Sequence, residues 1–597
     1  MKHNHPHPEE IQSVSLNEKD LTIPEIIAVA RYGAKVRPFR GTKREKLTQV
    51  RNFIEKNWFV KDAPPKYGFN TGVGSLKNVQ LDPDDIEPFQ ENYIKSHSVG
   101  VGEPLSIEIV RAAMLLQAQA LSRGFSGVRG EVVDKLIEML NKHIHPVVPS
   151  QGSLGASGDL APLTHIATVL TGEDEAQIWV GDKKIPLKQL KAEEGFIQFQ
   201  RGQETVTFQP LRLHGKEAIS LTNATSVMLA IAVLLIYDVE ILLKNADMAA
   251  ALSLEAMMCE PDAFTEELHQ IRNQKGQIVT AKNIRNLIAN SKRMTPEARM
   301  TYFKTLTDKK LAGINELKEN PQHAEFLKLY TFKYEFEKNR VQDAYSLRCI
   351  PQVHGACKDT FHFVKEIIER ETQAVTDNPV IFPDKGGHGY VVISGGNFHG
   401  EPLAFAMDFL AIALAEIGNI AERRIFRLLS PALSYGLPRN LSGGKIGLNT
   451  GLMMTQYTAA QLASENKVLA HPASVDSIPT SENQEDHVSM GMIAANKALK
   501  VMNNVQYINA IEYLCAVQAL QLSAMDKETD LKHFPLGRGT HLLFDFLIDY
   551  HVESSQFYPF KLIMEDEFLQ TRMEQIKDMA IQGKAIKAVQ KEIELMV

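Results

Sequence analysis

The segment QGSLGASGDLAPL, residues 151–163, places Ala156, Ser157 and Gly158 in a glycine-rich turn ahead of Asp159 and a helix-like run. Three readings fit this text. It can be a tight loop before a helix N-terminus, with glycines taking positive φ angles. It can be a phosphate cradle, although no Lys follows at the P-loop position and GxGxxG is absent. It can also be a self-made electrophile. In a hard bend the Gly158 amide nitrogen attacks the Ala156 carbonyl, and loss of two waters turns Ser157 into an exocyclic methylidene on a five-membered ring.

Other segments concentrate chemistry-bearing side chains. KYGFNTGVGSL puts Tyr67 in a loop with Gly68, Gly72 and Gly74, unusual company for a tyrosine serving only the core. VQDAYSLRCIPQVHG gathers Gln342, Tyr345 and Arg348, and the spacing sets Tyr345 and Arg348 on one helical face. TSENQEDHVSMG packs Glu482, Gln484, Glu485, Asp486 and His487 where the next long helix is expected to start. Acidic residues there complement the helix dipole, and Ser481 with Gln484 could form a capping box.

The elements that must position these residues are mostly helical. Ile107–Leu121 reads as an amphipathic helix, while 178–187 and the stretch around Arg201-Gly202 read as hairpins. Helix dominates from Glu217 onward, with Leu403, Ala406, Leu410, Leu414 and Ile417 forming one apolar face. Val501, Val505, Ile508, Ile511 and Cys515 form another stripe. A helix of ~40 residues starting near Ser481 would be ~60 Å long, too long to bury that stripe in a compact monomer, so it predicts packing against neighbouring chains. The expected fold class is mainly α. A disordered tail over 1–22 precedes an N-terminal domain with minor β hairpins over 23–240. A long antiparallel helix bundle fills 241–597, with a surface insertion near 296–340.

Composition narrows the partners. The 597 residues carry a formal net charge of −7, which argues against nucleic acid, since phosphate binding wants a basic excess. Cys259, Cys349, Cys357 and Cys515 form no CxxC pair, which argues against a cysteine metal site and fits a reducing cytoplasm. The apolar run Val227–Tyr237 is shorter than the ~20 residues a membrane span needs and reads as a buried helix. His3, His5 and His7 belong to the tail. No metal and no membrane partner is expected.

In order along the chain, YGFNTGVG, GVGEP, GSLGASGDLAPL, KEAISLTNAT, QDAYSLRCIPQVHGA, TDNP, GGNFHGEP and SENQEDHVSM resemble the aromatic amino acid ammonia-lyases and aminomutases. The resemblance implies 4-methylidene-imidazol-5-one as electrophile, made from Ala156-Ser157-Gly158, with no external cofactor. It implies Tyr67 as general base for a weakly acidic β-proton, which a phenol of ordinary pKa near 10 can remove only in a tuned environment. Arg348 would clamp the substrate carboxylate, a bidentate task suited to guanidinium. Asn223 and Tyr345 would support the ring and position the amino acid, and Gln342, Phe398 and Gln484 would line the pocket. Family members are homotetramers whose active sites combine loops from three chains.

Two positions bear on the substrate. Ser96-His97 stands where phenylalanine- and tyrosine-specific members carry Phe-Leu or His-Leu, and Glu485 has no counterpart in their NQD text. An imidazole can hydrogen-bond both His97 and Glu485, whereas a carboxylate buried against a benzene ring is costly. The resemblance is therefore to the histidine-specific branch, which converts L-histidine to trans-urocanate and ammonia. The alternatives are a phenylalanine or tyrosine ammonia-lyase, or an aminomutase. A fumarase-type lyase lacks support, because no GSSxMPxKxNP-like loop occurs, and an inactive assembly protein would not be expected to keep Ser157, Tyr67 and Arg348. Departures from the family text are Ala224 after Asn223, Ala344 for a proline, and Gln274-Lys275-Gly276-Gln277 for His-Pro-Gly-Gln.

Overall fold

The computed structural model describes residues 7–302, 341–387, 389–525, 527–552 and 557–597. Most of the expected insertion at 296–340 lies outside them. The chain forms two compact units. One comprises the chain up to Tyr237 with Val364–Phe409 and Pro472–Leu499; the other comprises Asp238–Phe363, Leu410–His471 and Lys500–Val597.

The first unit holds every described strand pairing. Gln177–Val180 and Lys183–Pro186 form the expected hairpin, turning at Gly181-Asp182, and Ile197–Arg201 pairs antiparallel with Glu204–Phe208. The alternating burial of Ile197, Phe199, Val206 and Phe208 explains that second hairpin: one face packs inward and the other meets water. The tail is shorter than the sequence suggests. Ser13–Val14 pairs in parallel with Lys35–Val36, and Val14, Leu16 and Leu21 are buried. These three apolar residues are spaced too irregularly to signal an element, but burying them holds the segment.

The pairing that matters for the site joins Val101–Pro104, within GVGEP, to Pro149–Gln151. The helix Ile86–His97 leads into the first of these strands. The second leads through residues 152–159 into the helix Leu160–Thr171. That arrangement brings the end of one helix alongside the Ala-Ser-Gly turn, and the Gly100 amide donates to His165 Nε2 of the following helix at 3.1 Å.

The described part of the second unit is helical. Its core includes Leu252, Leu254, Ile425, Leu428, Ile511, Leu514 and Val517. Two glycines let helical segments touch at the backbone: a Cβ on Gly355 would lie 2.3 Å from Gln277 N and 2.7 Å from Gly276 C. Two clusters of buried charge are paired. Arg424 meets Glu512 through two hydrogen bonds of 2.5 and 2.8 Å, and Asp247 accepts from His354 Nδ1 (2.8 Å), Lys358 (2.6 Å) and Asn283 (2.8 Å). Lys358 and Asn283 also donate to the Met596 carbonyl, which ties down the C-terminal end.

Two sequence expectations change here. The long helix is Gly491–Ser523, 33 residues, and does not start near Ser481. Ser481, Glu482 and Asn483 take φ of 51°, 54° and 62°, so a tight left-handed turn replaces the expected capping box. The stripe Val501, Val505, Ile508, Ile511 and Cys515 is at most 1% exposed within the single chain. Other helices of the second unit cover it, so it does not argue for assembly. Glu217–Ala256 and Glu401–Leu429 are long and apolar enough to cross a membrane, but 78% and 67% of their most apolar windows is buried, as in core helices.

Candidate active site

Residues 152–159 turn back on themselves tightly enough that Gly158 bridges both Gly155 and Ala156. Gly158 has φ +69°, and a Cβ there would sit 2.2 Å from the Ala224 carbonyl oxygen. Only glycine fits that position. Asp159 anchors the turn from behind: its amide donates to Ala224 O at 2.7 Å, and its carboxylate accepts from the Val227 and Met228 amides at 2.9 and 2.8 Å. Those amides open the helix Ser226–Ala256, where a carboxylate is electrostatically favoured. Burial nevertheless pushes the Asp159 carboxyl up to about 7, with the two amides and Ser153 pulling the other way. Asp159 is a site residue that sequence reasoning passed over, because its partners lie 68 and 69 positions away.

Ser157 donates from Oγ to Glu485 Oε1 at 2.9 Å. Glu485 Oε2 accepts from Thr480 Oγ1, also at 2.9 Å. The loop carrying Glu485 is pinned beside the turn, since Met490 N donates to Leu154 O at 2.8 Å and Ser489 Oγ to Gly155 O at 3.3 Å. Gln484 sits apart from Ser157 in its bonding, accepting from Lys77 in the Tyr67 loop.

Tyr67 accepts the Gly74 amide hydrogen at 3.2 Å. Burial, with the negative charge of Glu485 adding to it, holds the phenol above its usual pKa, against the opposing hydrogen bond from Gly74. That is opposite to the tuning a tyrosinate base needs, so within these surroundings Tyr67 is a neutral phenol at neutral pH.

Ser96 and His97 occupy the last turn of the helix Ile86–His97. Ser96 Oγ donates to Tyr93 O at 3.1 Å and lies 3.0 Å from His97 Nδ1. Burial keeps the His97 imidazole below its usual pKa, opposed by the Tyr93 contact and by Glu485. Asn223 is 4% exposed; its Nδ2 donates to Asn378 O at 2.9 Å, while its buried Oδ1 has no partner. Phe398 lies in a loop whose Gly400 amide approaches Gly155 O at 3.5 Å.

Tyr67, His97, Ser157, Asn223, Phe398 and Glu485 thus belong to the first unit. Gln342, Tyr345 and Arg348 belong to the second. There Tyr345–Arg348 is one helical turn, with the guanidinium 4.6 Å over the Tyr345 ring and Nε donating to Asp343 O at 2.9 Å. Tyr345 is 72% exposed. The expectation that Tyr345 and Arg348 share a face holds. Among the described residues, His399, Glu401 and His487 bring potential cation ligands within 4.8 Å of one another, a grouping from two separate segments that spacing could not reveal.

Residues 21–544 match the family described as aromatic amino acid lyase. A histidine ammonia-lyase 2 of Fusobacterium nucleatum is 45% identical over 506 residues, 85% of this chain and 87% of that protein. A histidine ammonia-lyase of Koribacter versatilis is 47% identical over 530 residues, 87% and 92% of the two chains. The crystal structure of histidine ammonia-lyase from Trypanosoma cruzi superimposes with a TM-score of 0.77 at 32% identity, covering 98% of this chain and 96% of that one. With its ordered motifs, this fold and these relatives, the chain belongs to the aromatic amino acid lyase family.

Proposed function

We propose that the protein is a histidine ammonia-lyase, eliminating ammonia from L-histidine to give trans-urocanate. The observation that carries this reading is the Glu485 carboxylate held at Ser157, with His97 in the same unit. A carboxylate there accepts an imidazole N–H in a charge-assisted hydrogen bond and would be stranded against a phenyl ring. The names of the Fusobacterium, Koribacter and Trypanosoma relatives support the same substrate.

The residues fit a prosthetic ring formed from Ala156-Ser157-Gly158. Gly158 is folded back onto Ala156, and the orphaned Asn223 Oδ1 is an acceptor awaiting a partner. When formed, 4-methylidene-imidazol-5-one supplies the electrophile that makes the substrate amine a leaving group. The chain's own residues do the rest. Arg348 clamps the carboxylate, Tyr345 and Asn223 position the amino acid, Gln342, Phe398, Ser96 and Gln484 line the pocket, and His97 and Glu485 grip the imidazole. Tyr67 takes the β-proton, and its raised pKa makes that step favour alkaline conditions.

A homotetramer with active sites shared between chains belongs to the same reading. It is supported by exposed apolar side chains, Leu448 (78%) and Tyr457 (60%) in the second unit and Phe405 in the first. A cytoplasmic setting fits four free cysteines. Incubation with L-histidine, L-phenylalanine and L-tyrosine separately, following the ultraviolet absorbance of the unsaturated acid and ammonia release, tests the assignment. Turnover of phenylalanine but not histidine rejects the histidine assignment.

A further inference from the structure

The two oxygens of Glu485 are used differently. Oε2 is fixed by Thr480 Oγ1, and the same two residues exchange backbone hydrogen bonds of 3.0 and 3.3 Å across the left-handed turn at Ser481–Asn483. Oε1 is thereby left to face Ser157 Oγ, the hydroxyl that must depart if the ring forms. A free glutamate side chain would spread over many rotamers, and Thr480 removes that freedom before any reaction begins.

We propose that Glu485 has a second role, as the proton relay that dehydrates Ser157 during self-processing, with Thr480 as its positioning residue. This rests on the ring-forming reading above. The step balances without an outside acid or base. The Ser157 Cα–H bond breaks, its proton passes to the Glu485 carboxylate, and its electron pair forms the Cα=Cβ bond. The Cβ–Oγ bond breaks with its electron pair on oxygen, and Oγ, still carrying its own hydrogen, takes the relayed proton and leaves as water. The carboxylate is regenerated. Because Cα is two bonds from Oγ, one oxygen in contact with Oγ can serve both transfers. Departure of the hydroxyl also strips Oε1 of its partner, which frees that oxygen for the substrate imidazole. One carboxylate oxygen then acts first on the chain itself and afterwards on the substrate.

The test uses the full-length protein and its Glu485→Gln, Thr480→Val and Thr480→Ser variants, sampled at intervals after a synthesis pulse. Intact mass spectrometry reads the loss of water directly, without reference to activity, and thermal unfolding confirms that each variant is folded. Wild type is expected to become lighter by two waters. Positioned proton transfer contributes on the order of 10²–10⁴-fold, so Glu485→Gln should slow that loss at least about tenfold. Thr480→Val should slow it in the same direction, and Thr480→Ser, which keeps the hydroxyl, should restore it. Accumulation of Glu485→Gln chains lacking one water would place the block at the Ser157 step and support the relay. Wild-type rates in Glu485→Gln overturn the relay while leaving the ring-forming reading intact. Wild-type rates in Thr480→Val overturn the positioning role. A wild-type chain that loses no water overturns the ring-forming reading itself.

Discussion

The imidazole of His97 lies stacked on the ring of Tyr93, centroids 3.8 Å apart, with Nδ1 2.8 Å from the Tyr93 carbonyl oxygen. A carbonyl can only accept, so the proton is on Nδ1 and the neutral ring keeps its Nε2 lone pair free. The stack fixes the ring plane, so the direction of that lone pair is set before substrate arrives.

Replacing His97 with Leu removes this acceptor and leaves an apolar wall. The His97→Leu variant should lose about 10- to 100-fold in kcat/KM for L-histidine, the scale of a hydrogen bond made to a polar substrate, and gain relative activity on L-phenylalanine. Parallel steady-state kinetics on the two substrates check this; an unchanged ratio would remove His97 from substrate selection.

Acid should weaken histidine binding through the same residue. With its pKa held below the usual value by burial, His97 stays neutral down to more acidic pH than a free histidine, and protonation below that point abolishes the Nε2 acceptor. KM for L-histidine should therefore rise on acidification, at lower pH than an ordinary histidine would require, a limb that His97→Leu lacks.

Tyr67 controls the other limb. Its raised pKa leaves little tyrosinate at neutral pH, and the ionised fraction grows roughly tenfold per unit of pH while pH stays below the pKa. kcat/KM should climb from neutral into alkaline solution, and Tyr67→Phe should abolish both the climb and nearly all activity. A flat profile from pH 7 to 9, as a pH series would read it, contradicts the base role.

Arg348 stands over Tyr345 with one nitrogen already committed to the Asp343 carbonyl, so its remaining nitrogens have a fixed direction. Lysine offers a point charge without that fork. Arg348→Lys should raise KM for L-histidine about tenfold or more, and an unchanged KM would argue against a carboxylate clamp.

Stability predictions follow from two contacts in the second unit. Gly355→Ala puts a methyl 2.3 Å from the Gln277 backbone nitrogen, which cannot move aside as a side chain could, and should cost about 3 kcal/mol. Lys358→Met leaves Asp247 buried without its main cationic partner and should cost about 3–5 kcal/mol. Thermal unfolding of each variant measures both. In the wild type, burial raises the Asp247 pKa but Lys358 and His354 outweigh it, so the net value is lowered. The stability from this cluster is therefore present above the unfolded pKa near 3.8 and is lost as pH falls through the lower folded value.

The hairpin at 177–186 and the buried helix after Ser226 were legible because each follows from neighbours in sequence: a Gly-Asp turn between alternating strands, or an unbroken apolar run. The Ala-Ser-Gly text, Tyr67 and the pair Tyr345 and Arg348 were legible for the same reason, as local combinations of residue types. Helix initiation at 481–491 is not legible in the sequence, because acids and a serine ahead of a helical run look alike in a cap and in a tight turn. The left-handed φ angles at Ser481, Glu482 and Asn483 arise where the loop is held against Leu154 and Gly155, over three hundred positions away.

Sequence by itself determined the helical class, the family and the residue types from which the chemistry is built. Tertiary structure decided which oxygen of Glu485 faces Ser157, that Thr480 fixes the other, that Asp159 ties the turn to the start of a second helix, and that the 501–515 stripe is covered within one chain. The physical reason is that hydrogen-bond direction and burial depend on groups brought together across long separations, and no local pattern records which groups those will be.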